Sequence, residues 1–294
     1  MLNNILFRTV YIISKLPLRV LYIFSDLIFV LSYYIVGYRK KVVLENLRKS
    51  FPEKSETEIN AICKNFYQNF ADYIVETLKT FTVSNNELRV RVQHINQHLF
   101  SEALEERKNI IMLSGHIFNW EWFNALAEVV PQKYCFPVYR KMQSAFWEEK
   151  VKLIRGRFGN TALEAKQVVR HILKQPNDGN SVYMFVADQS PYVLDVDYGL
   201  EFLNQKTPAF IGYDKLSTKM DLIFIYCEMK KVKRGFYQVN YYRIYPDGER
   251  FQPYEVVNKF YKMLETTIKK RPDNWLWSHR RWKYQDAIKT FAKQ

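Results

Sequence analysis

The sequence predicts an α/β fold: a single domain with a central mixed β-sheet flanked by helices, preceded by an N-terminal hydrophobic membrane-anchoring helix. Three observations carry this. After about Ile95 short apolar runs alternate with amphipathic stretches, a mostly apolar segment lies between Val20 and Val36, and 48% of the 294 residues are hydrophobic, enough for a sizeable core. The 9 Gly and 10 Pro are too few for a collagenous or low-complexity chain, and no internal repeat or Gly/Ser linker divides it. Residues 1–37 are assigned to the anchor and 38–294 to the domain that follows.

The segment Val20–Val36 is interrupted by Ser25, Asp26 and Ser32. A free transmembrane helix needs about 20 mostly apolar residues, and an Asp near its centre costs roughly 2.5 to 3.5 kcal/mol. A helix that dips into the bilayer with Asp26 paired against the body fits at least as well as a span, and an internal core helix is the third reading. Pro17, Arg19 and the missing small-residue cleavage site argue against a secretory signal peptide. Cations flank both ends, Arg8, Lys15 and Arg19 before and Arg39, Lys40 and Lys41 after, which suits an anionic leaflet but gives no orientation.

From Tyr38 to Phe81 the pattern is helical, with a break at Ser50-Phe51-Pro52 and a restart at Ser55, whose hydroxyl and the Glu58 carboxylate read as a capping box. Ile59, Ile62, Phe66, Phe70, Tyr73 and Ile74 form its buried face. Strands follow at Ile110–Leu113, Tyr134–Val138, Val182–Val186 and Leu222–Tyr226, with helices between them at about Asn119–Val129, Ser144–Phe158 and Leu163–Lys174. Phe236–Ile244 alternates strictly and pairs with Leu222–Tyr226 as a hairpin through Lys230–Gly235. A last helix runs from Tyr254 to Lys270, before Pro272.

Charge and cysteine usage narrow the partners. With 44 basic and 30 acidic side chains the chain carries +14, which draws it to anionic lipid, acidic carriers or nucleic acid. The basic residues are spread along the chain and show no nucleic-acid-binding signature, so nucleic acid is not expected as a partner. Cys63, Cys135 and Cys227 stand 72 and 92 positions apart, which gives neither a disulfide framework nor metal-ligand spacing; they read as small buried apolar residues.

In an open α/β sheet the reactive groups collect at the carboxyl ends of strands. The first main strand ends in Ser114-Gly115-His116, and Glu121 follows five residues after the histidine. Five residues of helix turn about 500 degrees, so the two side chains converge only if His116 sits in the turn before the helix. Glu121 is then expected to accept from one imidazole nitrogen and leave the other free as a base; the bland alternative is a helix cap with a carboxylate at the positive end. Tyr139-Arg140, Arg155-Gly156-Arg157 and Asp188-Gln189 also lie at or near strand ends. Together they gather two or three guanidinium groups around His116, suited to phosphates or an oxyanion. No other histidine gives the spacing of a zinc hydrolase, and no metal is expected.

With these motifs, the stretch Tyr38 to Asn46-Leu47, Phe51-Pro52-Glu53 and the C-terminal Asn274-Trp275-Leu276-Trp277-Ser278-His279-Arg280-Arg281-Trp282-Lys283, the chain resembles the lipid A biosynthesis late acyltransferases, the lauroyl and myristoyl transferases of Gram-negative bacteria. They belong to the lysophospholipid acyltransferase superfamily, and the likeness runs from about Tyr38 to Lys283. It implies a glycerolipid acyltransferase-like sheet and transfer of an acyl chain from acyl carrier protein to the hydroxyl of a 3-hydroxyacyl group on a phosphorylated lipid A precursor. The setting it implies is the cytoplasmic face of the bacterial inner membrane, with acyl-acyl carrier protein as co-substrate and no cofactor. His116 matches the family's catalytic histidine and Glu121 its acidic partner. Arg155 and Asp188 fall on positions used near the site, Arg140 and Arg157 sit in the same motifs, and Gln189 follows Asp188.

Asp188-Gln189-Ser190-Pro191 departs from the lipid A enzymes' usual sequence here. Another membrane lipid, an amino-acid lipid or a lysophospholipid, therefore stays open as acceptor, as does a non-catalytic lipid-binding relative. The implied mechanism is direct: His116 takes the proton of the acceptor hydroxyl as it attacks the thioester, Glu121 steadies the imidazolium, and no acyl-enzyme forms. Arg155, Arg157 and Arg140 are assigned to phosphates or the oxyanion, with Asp188 fixing one of them. Trp275, Trp277 and Trp282 with Arg280 and Arg281 have three readings, a site element, an interfacial belt or packing on the sheet, of which packing is favoured.

Overall fold

The computed structural model describes residues 2–192 and 196–292. The chain opens with helices α1 (Leu2–Ser14) and α2 (Leu18–Val30), the latter continued by a wider π-helical turn at Leu31–Ile35. Helices α3 (Lys40–Ser50), α4 (Glu56–Lys79) and α5 (Asn85–Arg91) follow. The capping box at Ser55 and Glu58 is present, and α4 buries Ile59, Cys63, Phe66 and Tyr67 on one face.

The rest alternates. In order come β1 (Val92–Ile95), α6 (His98–Glu105), β2 (Ile110–Ser114), a 3₁₀ segment Trp120–Glu128, β3 (Tyr134–Tyr139), α7 (Ala145–Gly156), β4 (Leu163–Glu164), α8 (Val168–Lys174) and β5 (Ser181–Val186). Then come β6 (Tyr198–Phe202), β7 (Gln205–Ala209), α9 (Asp214–Ser217), β8 (Ile223–Lys233), β9 (Phe236–Ile244), α10 (Glu255–Lys270) and β10 (Thr290–Ala292). Seven strands form the main sheet in the order β1-β9-β8-β2-β5-β3-β4, parallel throughout except for the β8–β9 hairpin. The sheet is therefore mixed, as expected. All five residues of β2 are buried, which is why that strand reads as an unbroken apolar run. A small second sheet, β10-β6-β7, packs beside it.

Three local expectations are corrected. The segment after His116 is 3₁₀ rather than α: it starts directly behind Phe118 at φ +44° and has no side-chain cap at Asn119. Leu163–Lys174 is not one helix, because Leu163 and Glu164 extend the open edge of β3 and helix begins only at Val168. The β6–β7 hairpin was not expected; its turn residues Leu203 and Asn204 both take positive φ.

Helix α2 is fastened to the body along one side. Tyr22 Oη donates to Glu76 at 2.8 Å, Ser25 Oγ donates to Asp72 at 2.7 Å, and Asp26 pairs with Arg234 at 2.6 Å. Gly235, in the β8–β9 turn at φ +73°, has no room for a side chain because a Cβ there would lie 2.1 Å from Tyr22 Oη. The opposite side of α2 exposes Ile23, Leu27 and Val30, and α1 exposes Ile5 and Ile12 nearby in sequence. Leu18–Ile35 is long and apolar enough to cross a membrane, yet only 17% of it is buried, so it is not an internal core helix. The three cysteines are buried and unpaired.

Candidate active site

The site follows from strand register. In the parallel pair β2–β5, Ser114 stands opposite Val186, and Ala187 N donates to Ser114 O at 2.8 Å. His116 and Asp188 each lie two residues beyond that pair, so the chain delivers them side by side at the carboxyl edge of the sheet. Gly115 is required between strand and histidine. A Cβ there would sit 2.6 Å from Leu264 Cδ1 and 3.2 Å from an Asp188 carboxylate oxygen.

Asp188 Oδ1 takes the imidazole Nδ1–H of His116 at 2.5 Å, while its other oxygen accepts the His116 backbone N–H at 2.9 Å and Trp275 Nε1 at 2.5 Å. Burial acts to raise the pKa of this carboxyl. The opposite charge and hydrogen bonds of His116, helped by Trp275, outweigh it and hold Asp188 down at about 2. With Nδ1 committed to Asp188, Nε2 faces Gln189, whose side-chain nitrogen lies 3.0 Å away. An amide N–H donating to an unprotonated Nε2 satisfies both groups.

The expected contact between Glu121 and His116 is not the one made. Glu121 pairs instead with Arg155, Nη2 to Oε1 at 2.9 Å and Nε to Oε2 at 3.4 Å, with both side chains largely buried. The reason is topological: the register of β2 and β5 supplies a nearer carboxylate, and α7 swings Arg155 toward Glu121. The expectation that Asp188 fixes an arginine is corrected by the same geometry. Arg140 donates to Ser190 O at 2.8 Å and lies over the Tyr192 ring. Arg157 is turned away, donating to the carbonyls of Thr80 and Val83 behind the end of α4, and does not reach the cavity beside His116.

That cavity has a volume of about 630 Å³. Its polar end holds His116, Glu121, Arg155 and Gln189, its walls are apolar (Val138, Val151, Ile154, Phe185, Phe210), and Arg140, Lys166 and Lys215 also line it. The loop that carries His116 is pinned from behind. Phe118 N donates to Asn274 O at 2.9 Å, and Asn119 donates to the buried Glu76 carboxylate at 3.0 Å, which also accepts from Tyr22 and Tyr237. Burial raises Glu76 to about 7 against these hydrogen bonds.

Two further groups of the C-terminal run lie at the site. Trp275 belongs to the site and not only to the packing layer, which corrects the reading of the C-terminal tryptophans. Its signal was its place in a dense aromatic and basic run. His279 lies beside Ser190, and burial, then Arg281, lower its pKa to about 4. Arg281 is buried and serves packing, donating to Pro208 O and Tyr261 Oη.

A half-buried histidine held by a buried aspartate at the polar end of an apolar-walled cavity can take a proton from a hydroxyl next to a hydrocarbon chain. No individual curated protein matches the chain. The sequence model of a family described as bacterial lipid A biosynthesis acyltransferase matches residues 4–284, which include both strand ends and the Trp275 segment. The chain belongs to the bacterial lipid A biosynthesis acyltransferase family.

Proposed function

We propose that this acyltransferase moves a fatty acyl chain from acyl carrier protein to the hydroxyl of a 3-hydroxyacyl group on a lipid A precursor. The observation that carries the reading is the imidazole of His116, oriented by Asp188, at the polar end of an apolar-walled cavity. At about 630 Å³ the cavity falls within the range of roughly 300 to 1,000 Å³ usual for small-molecule sites, and its walls suit a hydrocarbon chain. Arg140, Lys166 and Lys215 give it cations for an acidic carrier protein.

In this mechanism the acceptor hydroxyl displaces the Gln189 amide from Nε2 and hands its proton to that nitrogen as the oxygen attacks the thioester carbon. The C–O bond forms, the carbonyl electrons move onto oxygen, and the C–S bond breaks as the carbonyl re-forms. The leaving thiolate takes the proton from Nε2. Asp188 keeps Nδ1 protonated and stabilises the imidazolium; Arg155, held by Glu121, is the cation available to the oxyanion. His116 thus moves the proton, Asp188 orients and stabilises the imidazole, and Glu121 acts through Arg155.

The apolar outer sides of α1 and α2 support attachment to a membrane. The three polar fastenings of α2 to the body favour a helix lying in one leaflet over a span, since spanning would strip Asp26 from Arg234. With an acyl carrier protein as donor, the reading places the enzyme at the cytoplasmic face of the bacterial inner membrane. The test is transfer from acyl carrier protein loaded with C12 to C16 chains to a tetra- or penta-acylated lipid A precursor. Product from the wild type and none from a folded His116→Ala variant is expected. Turnover of the donor onto an amino-acid lipid or lysophospholipid, with none onto lipid A precursors, would reassign the acceptor.

A further inference from the structure

Helix α2 carries one carboxylate, and it lies on the exposed apolar face. Ile23, Asp26, Leu27 and Val30 follow one another at helical spacings that share a side, and all four are exposed. The cation that answers Asp26 comes from far along the chain. Arg234, in the β8–β9 turn, places Nη2 2.6 Å from Asp26 Oδ1 while its Nε donates to Asp72 at 2.8 Å. The turn is thereby held at the margin of the apolar face of α2, and Arg91 Nη1 also fixes it by donating to Gly235 O at 3.2 Å.

The residues of the turn suit that place. Lys231 stands opposite Tyr237 and Lys233 opposite Phe236, so Val232 is an extra residue without a partner on β9, a β-bulge. Its apolar side chain is 65% exposed. Lys233 lies over the Phe236 ring at 4.3 Å and, unlike Lys230, Lys231 and Arg234, has no carboxylate partner among the described residues. Direction matters as much as composition. Strand β8 runs parallel to β2, with Tyr226 opposite Leu113, and continues to Lys233. At about 3.4 Å per residue the tip stands on the order of 24 Å beyond that level, at the same carboxyl edge of the sheet that carries His116.

We infer that the β8–β9 tip, Val232 with Lys233, is a second membrane contact: it enters the headgroup layer of an anionic bilayer beside α2 and turns the carboxyl edge of the sheet, with His116, toward the lipid. Continuity carries the assignment, because the Asp26–Arg234 pair joins the tip to the exposed apolar face of α2. Charge selects the partner. Arg234 neutralises the one carboxylate that this face would bring against anionic lipid, and Lys233 adds a cation for it. Contact through α2 alone leaves the body free to roll about the helix axis, and a second contact at the hairpin tip removes that freedom. The inference rests on the membrane-attachment reading given above.

The experiment uses the full chain with Val232→Cys carrying an environment-sensitive thiol fluorophore; Cys63, Cys135 and Cys227 are buried and escape labelling. The control is Tyr245→Cys, exposed beyond the opposite end of β9, about 30 Å from the tip. With vesicles containing phosphatidylglycerol, emission from the tip probe should shift to the blue and be quenched by spin-labelled lipid, while the Tyr245 probe stays as in water. Lys233→Glu should weaken binding to these vesicles at least about fivefold in co-sedimentation, leaving binding to phosphatidylcholine vesicles and the thermal transition unchanged. A protein that sediments with the vesicles while its tip probe stays as in water, or whose Tyr245 probe responds as strongly, would overturn the tip contact and leave attachment through α1 and α2 standing. Unchanged affinity in Lys233→Glu would do the same. A chain that does not bind the vesicles at all would remove the attachment reading and the tip contact with it.

Discussion

Gln189 shows how little of the site chemistry is spelled by residue type alone. Its side-chain nitrogen lies 3.0 Å from His116 Nε2, so in the resting site the nitrogen assigned to proton abstraction is already hydrogen-bonded. When that nitrogen takes a proton, the amide must rotate to present oxygen or move aside. Gln189→Glu would supply a carboxylate that favours the imidazolium, raising the pKa of the base. The expected result is an acid limb of kcat/KM displaced to higher pH by about one unit. An unmoved limb would separate Gln189 from the proton. His116 itself was legible because it ends a buried apolar run behind a glycine. Its carboxylate partner was misread because the HxxxxE spacing is local, whereas the Asp188 contact depends on a pairing 72 residues away in the chain.

Elements carry the next level. The four main strands, α7, α10, the β8–β9 hairpin and the capping box could be read directly, because each has a clear period or a turn signal of its own. The β6–β7 hairpin could not, since it turns on Leu203-Asn204, and leucine at positive φ is no turn signal. Helix α4 also does something that its periodicity hides. Through Glu76 it holds α2, β9 and the loop behind His116 in one buried hydrogen-bond network. A carboxyl raised in the fold to about 7 from its ordinary 4.5 contributes stability fully below about pH 4.5 and loses it as pH rises through 7. The difference is of order 3 kcal/mol. Urea unfolding of wild type and Glu76→Gln between pH 5 and 8 should therefore converge or cross as pH rises, the wild type losing its share. Parallel curves would show that Glu76 titrates normally.

At the scale of the molecule, function depends on where charge and grease are exposed. The net charge of +14 was plain in the composition, and so was the apolar N-terminal segment. That α2 is fastened to the body by Tyr22, Ser25 and Asp26 was foreseeable only for Asp26, because a carboxylate in an apolar segment demands a partner whereas a lone hydroxyl does not. Ile23 and Leu27 point outward, so Ile23→Asp with Leu27→Asp should leave the thermal transition nearly unchanged. The same pair should move the protein from the vesicle pellet to the supernatant in a co-sedimentation assay with anionic liposomes. Retention on the vesicles would show that attachment lies elsewhere.

The central claim is that His116 acts as base with Asp188 as its partner. It is tested most directly by the single-turnover rate of acyl transfer in wild type and Asp188→Asn, both shown to be folded. The account predicts that Asp188→Asn slows the chemical step by about 10³-fold or more, because the amide can present its N–H to Nδ1 and turn the imidazole to the wrong tautomer. A variant that transfers at nearly the wild-type rate would contradict it.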